Sequence, residues 1–188
     1  MQYGVAPSAN LINVKIIGKG GTIGTAAQAI LDVAAEHRAN KARPVGDDYW
    51  RFRGSIINMS CGAPGNAYSL LYQVETANNA GVAVFGAAGN DNEDASLTLP
   101  CNIPDVKCIA AADANYKKGW YSNYGSSVDY VAPGSDIEST WIGWDEATEK
   151  LSGTSQACPH AVGAAAIFMS VCLTSFAAPP SHTILADS

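Results

Sequence analysis

Residues Ser55 to Phe85 read SIINMSCGAPGNAYSLLYQVETANNAGVAVF, and this pattern defines the basic unit of the fold. Its first six residues form an apolar run that predicts a strand, and Tyr68 to Asn79 follow with the pattern of a helix. The sequence Asn79-Ala80-Gly81 predicts the helix end, because glycine readily adopts the left-handed conformation found there. Val82 to Phe85 then predict a second strand. This order predicts a parallel βαβ unit.

The same alternation continues on both sides of this unit. Upstream, Leu11 to Ile17 predict a buried strand, and a helix is predicted from about Thr25 to His37 after a glycine-rich break. Downstream, short strands are predicted at Cys108 to Ala111 and at Val128 to Ala132, with a long apolar helix after Ser152. Such alternation is typical of an α/β fold with a parallel sheet and helices on both faces.

The composition is that of a chain that folds around one core. Apolar residues make up 47% of its 188 residues, and charged residues only 15%. The charged fraction is below the roughly 25% of an average domain, which argues against long disordered stretches and coiled coils. The net charge of −6 and the lack of a basic cluster argue against a nucleic-acid partner. We predict one domain over residues 1–188, because no internal repeat or linker interrupts the pattern.

Cysteine usage and one apolar run bear on the compartment. The five cysteines include no C-x-x-C pair, so neither a zinc knuckle nor a thioredoxin-like motif is predicted. Cys101 and Cys108 are near enough in sequence to form a disulfide in an oxidising compartment, and two buried thiols fit equally well. The uncharged run from Ala161 to Ala178 favours a buried core helix over a membrane span, because it lacks flanking anchors. The first twenty residues lack the pattern of a signal peptide.

Three candidate sites follow predicted strands or open the long helix, where α/β sheets gather their chemistry. Ser155 lies at a helix start, where free N–H groups and the helix dipole favour attack on a carbonyl that becomes an oxyanion. A helix-capping role for Ser155 is the alternative. Asn90 follows a strand and can donate to the same oxyanion, or can simply form a turn. Ser60 to Gly62 end a strand that can present backbone groups to an extended peptide.

Taken together, these segments resemble the subtilisin-like serine proteases, and most closely the proteinase K branch. Gly153-Thr154-Ser155 with Pro159-His160 looks like the nucleophile signature. Ala87-Ala88-Gly89-Asn90 looks like the segment that carries the oxyanion asparagine, and Ser60-Cys61-Gly62 looks like the substrate-binding strand. The resemblance covers roughly residues 3 to 170 and implies a doubly wound, mostly parallel sheet.

The resemblance also implies roles for individual residues. Ser155 would be the catalytic nucleophile, and Asn90 with the backbone N–H of Ser155 would stabilise the oxyanion during hydrolysis of a polypeptide. The residues implied to bind substrate are Ser60, Cys61, Gly62, Ala88 and Gly89. By the same resemblance no cofactor is required, a weak calcium site would involve Asp129, and the parent protein would be a secreted monomer without a membrane partner.

The chain departs from the family where the catalytic base is concerned. The family activates its serine with a histidine in a His-Gly-Thr-His segment, which is oriented by an aspartate in an Asp-Thr/Ser-Gly segment, and neither segment occurs here. The three histidines, His37, His160 and His182, are interpreted as structural. The resemblance therefore implies a partial domain that lacks its N-terminal strands and is inactive or feeble as a protease.

Two functions from other classes remain as alternatives. A non-catalytic remnant that binds extended peptides would explain a binding strand and an oxyanion segment without a base. A nucleotide-binding loop at Gly18 to Gly24 is the weaker alternative, because Ile23 occupies the position of the third glycine in the G-x-G-x-x-G pattern.

Overall fold

The computed structural model describes residues 3–16, 22–43 and 52–175, with side chains described as far as residue 171. His182 and most of the glycine-rich break at Gly18 to Gly24 lie outside these residues. In chain order the helices and strands are α1 (Ile23–Ala42), β1 (Ile56–Met59), β2 (Ala63–Pro64), α2 (Tyr68–Ala80), β3 (Ala83–Ala87), β4 (Thr98–Leu99), β5 (Val106–Ala112), β6 (Tyr130–Pro133), β7 (Ile137–Thr140), β8 (Thr148–Leu151) and α3 (Thr154–Ser175).

A four-stranded sheet organises the described part of the chain. Its strand order is β1-β3-β5-β6, and all three pairings are parallel. In its register Val84 of β3 lies between Ile57 of β1 and Val106 of β5. The strands β2 with β4 and β7 with β8 form two small antiparallel pairs. The α/β fold with a parallel sheet is therefore confirmed.

Helices cover both faces of this sheet. Successive strand residues point to opposite faces, so Val84 and Phe85 enter different cores. Val84 packs in the core with α1 and α2, whereas Phe85 packs in the core beneath α3. Burial of these two apolar layers is the main source of stability for such a fold.

The ends of α1 and α2 are set by local sequence. Thr22 caps α1 by accepting a hydrogen bond from the backbone N–H of Thr25 at 3.2 Å, and the Thr25 hydroxyl accepts from Thr22 N in return. Gly81 ends α2 with φ of 92°, as the sequence predicted. Its N–H donates to the Asn78 carbonyl at 2.9 Å, which satisfies a free acceptor at the helix end.

The predicted strand at Leu11 to Ile17 is wrong for its described residues. Residues 11–16 form no strand, and Leu11 and Ile12 are 93% and 71% exposed. An isolated strand has nothing to satisfy its backbone N–H and C=O groups. Within the described ranges these residues have no strand beside them, because the edge strand β1 pairs only with β3.

The prediction of a buried core helix after Ala161 is only partly right. The run is helical, and Ala161, Val162 and Ala165 pack against the core while only partly buried; the fully buried Ala157 and Cys158 precede the run. Further along, Phe168 is 69% and Val171 56% exposed. A helix of 22 residues spans about 33 Å, which is longer than any strand of this sheet, so its far end overhangs. None of the helices in the described ranges is long and apolar enough to cross a bilayer.

The sequence left undecided whether two of the cysteines form a disulfide, and in the structure they do. Cys101 and Cys108 form a disulfide with an S–S distance of 2.04 Å. Both residues are buried against Ala88 and Ala95. The bridge therefore ties the start of β5 to the loop after β4, beneath the loop that carries Asn90.

His37 is a buried titratable group of helix α1. It is 1% exposed, and neither ring nitrogen has a hydrogen-bond partner among the described residues. Its ring lies edge-on to Phe52, with ring centroids 5.5 Å apart. Burial lowers the pKa of His37 below its usual 6.5, and the nearby charges of Lys41 and Arg38 lower it further.

We predict that this histidine makes the fold sensitive to mild acid. Because the folded pKa is lowered, the unfolded chain binds the proton first as the pH falls. Stability is therefore full above about pH 6.5 and is lost below it, by at most roughly 1.4 kcal/mol per pH unit. Urea unfolding between pH 7.5 and 5.5 measures the slope. His37→Leu should flatten it, whereas His160→Gln should retain it. An unchanged slope in His37→Leu would contradict the assignment.

Candidate active site

Ser155 lies in the first turn of α3 and faces the end of β1. Its hydroxyl donates to the Ser60 carbonyl at 2.9 Å, and the Ser60 hydroxyl donates to the Ser155 carbonyl at 3.1 Å. This reciprocal pair joins the helix start to the end of β1. The backbone N–H of Ser155 belongs to the first turn, where no intrahelical acceptor is available. Within the described residues it has no other acceptor, so it can donate to a bound group.

The orientation of Asn90 is fixed by Thr154. The amide oxygen of Asn90 accepts from the backbone N–H of Thr154 at 2.8 Å and from its hydroxyl at 3.0 Å. The same hydroxyl accepts from the N–H of Gly89 at 3.1 Å. Because the oxygen is held by a backbone donor, the NH₂ group of Asn90 must face the other way. It is left free to donate on the side of the cleft.

A second asparagine holds the loop that carries Asn90. Asn123 is fully buried, and its amide oxygen accepts from the N–H groups of Asp91 and Glu93 at 2.9 and 3.1 Å. Its NH₂ group donates to the Ala88 carbonyl at 2.9 Å. A Cβ at Gly89 would overlap this amide, so a side chain there is excluded. The sequence pattern assigned Asn123 no individual role, because its contacts lie about thirty residues away.

These segments enclose a cleft of about 480 Å³. One wall is the chain from Ser60 to Pro64, and the opposite wall is the end of β3 with the loop after it. Ser155 and Asn90 both line it. A Cβ at Gly62 would overlap the Leu99 carbonyl oxygen, so the first wall requires glycine at that point. The cleft therefore contains the Ser155 hydroxyl, the backbone N–H of Ser155 and the NH₂ group of Asn90. This combination suits the binding of a carbonyl group and attack on it.

Most of the predicted site residues meet at this cleft. Ser60, Cys61, Gly62 and Gly89 line it. Ala88 does not, because it is fully buried. Its N–H donates to the Ile109 carbonyl at 3.0 Å, and its own carbonyl is held by the Asn123 amide, so neither group can reach a substrate. Sequence reasoning missed Asp91, Glu93 and Thr98, which also line the cleft.

The described histidines do not serve Ser155. His160 lies one turn further along α3, and its Nδ1 contacts the Gln156 carbonyl at 2.7 Å, so that nitrogen donates. Its ring faces a different, largely apolar space of about 500 Å³ beside β6. His37 is buried away from this cleft, beside Gly81 at the end of α2. Among the described residues, the Ser155 hydroxyl is therefore hydrogen-bonded to a carbonyl and not to a base.

The free thiols near Ser155 are poor alternative nucleophiles. Burial raises the pKa of the Cys158 thiol to about 12. Burial also raises the pKa of Cys61, which lines the cleft. A thiol attacks as the thiolate, so burial makes both groups weaker nucleophiles than an exposed cysteine. Ser155 is therefore a better candidate for attack in this cleft than either thiol.

The calcium site implied for Asp129 remains a prediction. One of its carboxylate oxygens accepts from the Cys108 N–H at 2.8 Å. Within the described ranges, no three histidine, cysteine, aspartate or glutamate side chains come together as a metal site. Calcium takes six to eight oxygen ligands, so such a site would depend almost entirely on backbone carbonyls.

We predict that Thr154 is the most sensitive hydroxyl of the site. Thr154→Val removes one donor and one acceptor from a buried network and should lower the free energy of unfolding by about 1–3 kcal/mol. Thr154→Ser keeps both bonds and should lose far less. Thr148→Val, at an exposed hydroxyl bonded to Glu138, serves as the matched control and should stay within about 0.5 kcal/mol. Urea unfolding of the three variants measures this, and a neutral Thr154→Val would refute the network.

Comparison with known proteins agrees with this geometry. The family model described as Subtilase family matches residues 2–179. Alkaline protease 1 of Aspergillus flavus is 40% identical over 176 residues, covering 90% of this chain and 40% of that protein. Cerevisin of Saccharomyces cerevisiae is 37% identical over 169 residues, covering 90% of this chain and 26% of its own length.

A solved structure agrees as well. The crystal structure of a cold adapted subtilisin-like serine proteinase matches with a TM-score of 0.75 and 33% identity, covering 90% of this chain and 57% of that one. The chain thus spans less than two thirds of the length of each of these three proteins. Over the part it spans, sequence and fold agree, and the chain belongs to the subtilase family.

Proposed function

We propose that this chain carries the nucleophile and the oxyanion site of a serine endopeptidase that cleaves polypeptides through an acyl-enzyme at Ser155. The observation that carries the proposal is the shared cleft. The Ser155 hydroxyl, its backbone N–H and the free NH₂ group of Asn90 are presented to one space of about 480 Å³. This combination is suited to acyl transfer.

The chemistry follows from the roles of these groups. The Ser155 oxygen attacks the peptide carbonyl, and the negative charge that develops on the carbonyl oxygen is stabilised by Asn90 and the Ser155 N–H. The hydroxyl proton must pass to a base and then to the leaving amine. In subtilisin itself, the known example of such a site, removal of the asparagine donor costs about 10²–10³ in kcat.

The same geometry supports only very slow peptide hydrolysis by the chain on its own. The Ser155 hydroxyl donates to the Ser60 carbonyl, and no described base accepts its proton. A serine without a base remains a neutral, weak nucleophile. In subtilisin, loss of the nucleophile or its histidine costs about 2 × 10⁶ in kcat, which sets the scale for this family. A peptide-binding role without turnover is therefore the second candidate function.

The wider context is proposed from the relatives. The named relatives are proteases, so a polypeptide substrate is proposed for this chain too. A secreted, monomeric parent protein with no membrane or nucleic-acid partner, which requires no cofactor, remains our proposal from the sequence. The Cys101–Cys108 disulfide supports an oxidising compartment.

We predict that a fluorophosphonate probe fails to label Ser155 in this chain. The probe reports an activated serine, and activation requires a base beside the hydroxyl. A chain extended at its N-terminus with the family's Asp-Thr/Ser-Gly and His-Gly-Thr-His segments should be labelled. Mass spectrometry of the modified peptide locates the probe.

Two variants of the extended chain make this test specific. Ser155→Ala should abolish labelling, and Asn90→Ala should slow it, because the oxyanion loses a donor while the nucleophile remains. Stoichiometric labelling of the 188-residue chain at Ser155 would overturn the claim that it lacks a base.

A further inference from the structure

We propose that Asn123 is a positioning residue for the reaction: it fixes the backbone from which Asn90 donates, and so determines how well the oxyanion is stabilised. This inference rests on the proposed function and adds a residue whose contribution is to the chemical step. Asn123 acts through Asn90, so it is not itself a catalytic residue.

Asn123 holds the chain on both sides of Asn90. Before Asn90, its NH₂ group donates to the Ala88 carbonyl at 2.9 Å. After Asn90, its amide oxygen accepts from the N–H groups of Asp91 and Glu93 at 2.9 and 3.1 Å. One fully buried side chain therefore bridges the stretch that carries the oxyanion donor.

The loop requires such support because its backbone is unusual. Gly89 has φ of 104° and Asn92 has φ of 54°, so residues with left-handed backbone lie on both sides of Asn90. A residue with a side chain rarely adopts this conformation, and it persists where surrounding contacts impose it. One such contact is the hydrogen bond from the backbone N–H of Asn123 to the Gly89 carbonyl, at 3.0 Å.

The segment that carries Asn123 also holds the loop at Asn92. The backbone N–H of Asn92 donates to the Tyr121 carbonyl at 2.9 Å. The ammonium group of Lys118 donates to the side-chain oxygen of Asn92 at 2.8 Å. The loop is therefore attached to one neighbouring segment at several points, and Asn123 makes the buried attachment.

Thr154 and Asn123 fix different properties of the oxyanion donor. Thr154 fixes the direction of the Asn90 amide group, whereas Asn123 fixes where the backbone of Asn90 lies. A donor stabilises an oxyanion when it lies about 2.7–3.1 Å from the developing charge, and a displacement of about 1 Å costs on the order of 10²-fold in rate. Such a displacement weakens binding of the transition state more than binding of the substrate, so kcat falls and KM changes little.

A double-mutant cycle separates positioning from general stability. It uses the chain extended at its N-terminus with the family's two segments, and kcat and KM are measured with a tetrapeptide p-nitroanilide. We expect Asn123→Ala to lower kcat about ten- to hundredfold and to keep KM within about twofold. In the Asn90→Ala background the same substitution should cost less than about threefold, because the donor that it positions is gone.

Ser122→Ala is the matched control. Ser122 is buried as completely as Asn123. Its hydroxyl accepts from the Ala111 N–H at 2.9 Å and donates to the Asn123 carbonyl at 3.0 Å, and both partners lie outside the loop that carries Asn90. The control therefore removes buried hydrogen bonds without releasing that loop, and kcat should stay within about threefold.

A second variant does not depend on the stability of Asn123→Ala. Lys118 is exposed, so Lys118→Met removes the hydrogen bond to Asn92 without leaving a buried polar group alone. We expect it to lower kcat about three- to tenfold, and to have little effect in the Asn90→Ala background. Circular dichroism confirms that each variant is folded.

Backbone order parameters from ¹⁵N relaxation test the positioning without turnover. In the 188-residue chain we expect values of about 0.85 at Asn90 and Asp91, which are typical of rigid backbone. Asn123→Ala should lower both values below about 0.6, the range of flexible backbone. Ser122→Ala should keep the values of the unchanged chain.

The outcomes separate the two claims. An equal loss of kcat with and without Asn90, or order parameters at Asn90 that do not change in Asn123→Ala, would overturn the inference and leave the proposed function standing. An extended chain that hydrolyses no substrate would overturn the proposed function, and the order parameters would then decide alone whether Asn123 holds Asn90 in place.

Discussion

The site depends on one hydrogen-bonded connection between the loop after β3 and the first turn of α3. Thr154 donates to the amide oxygen of Asn90 and accepts from Gly89, so three residues from two distant segments share one buried network. Such a network contributes most to stability when every polar group in it has a hydrogen-bond partner. In the low dielectric of the interior, a buried polar group without a partner is costly. With the Asn90 oxygen committed to Thr154, its NH₂ group is free for the cleft.

The sheet makes this connection available. Parallel strands deliver their carboxyl ends to one edge, so the ends of β1 and β3 arrive together beside the start of α3. The reciprocal hydrogen bonds between Ser60 and Ser155 close the other side of the cleft. Substrate-binding strand, nucleophile and oxyanion donor are thus neighbours through topology, although they are far apart in sequence. A proton acceptor is the part that this arrangement lacks among the described residues.

The sequence predicted those features that depend on residues close to one another in the chain. The apolar run before Cys61, the glycine after α2 and the small residues before Asn90 each determine their own few residues, and these elements were predicted. The strand at Leu11 failed because pairing requires a neighbour that the run itself cannot specify. The burial of α3 was overestimated since apolar content does not show how far the sheet beneath it extends. The role of Asn123 in holding the loop was not predicted, because all of the side-chain contacts behind that role are with residues distant in sequence.

Amide hydrogen exchange measured by NMR reports on the Thr154 connection residue by residue. The N–H groups of Gly89, Asp91, Glu93 and Thr154 all donate to side-chain oxygens, whereas the N–H of Ser155 has no acceptor in the described part of the chain. We predict slow exchange at the first four and fast exchange at Ser155 under conditions where the chain is folded. Fast exchange at Gly89 and Thr154, equal to that of Ser155, would contradict the buried network.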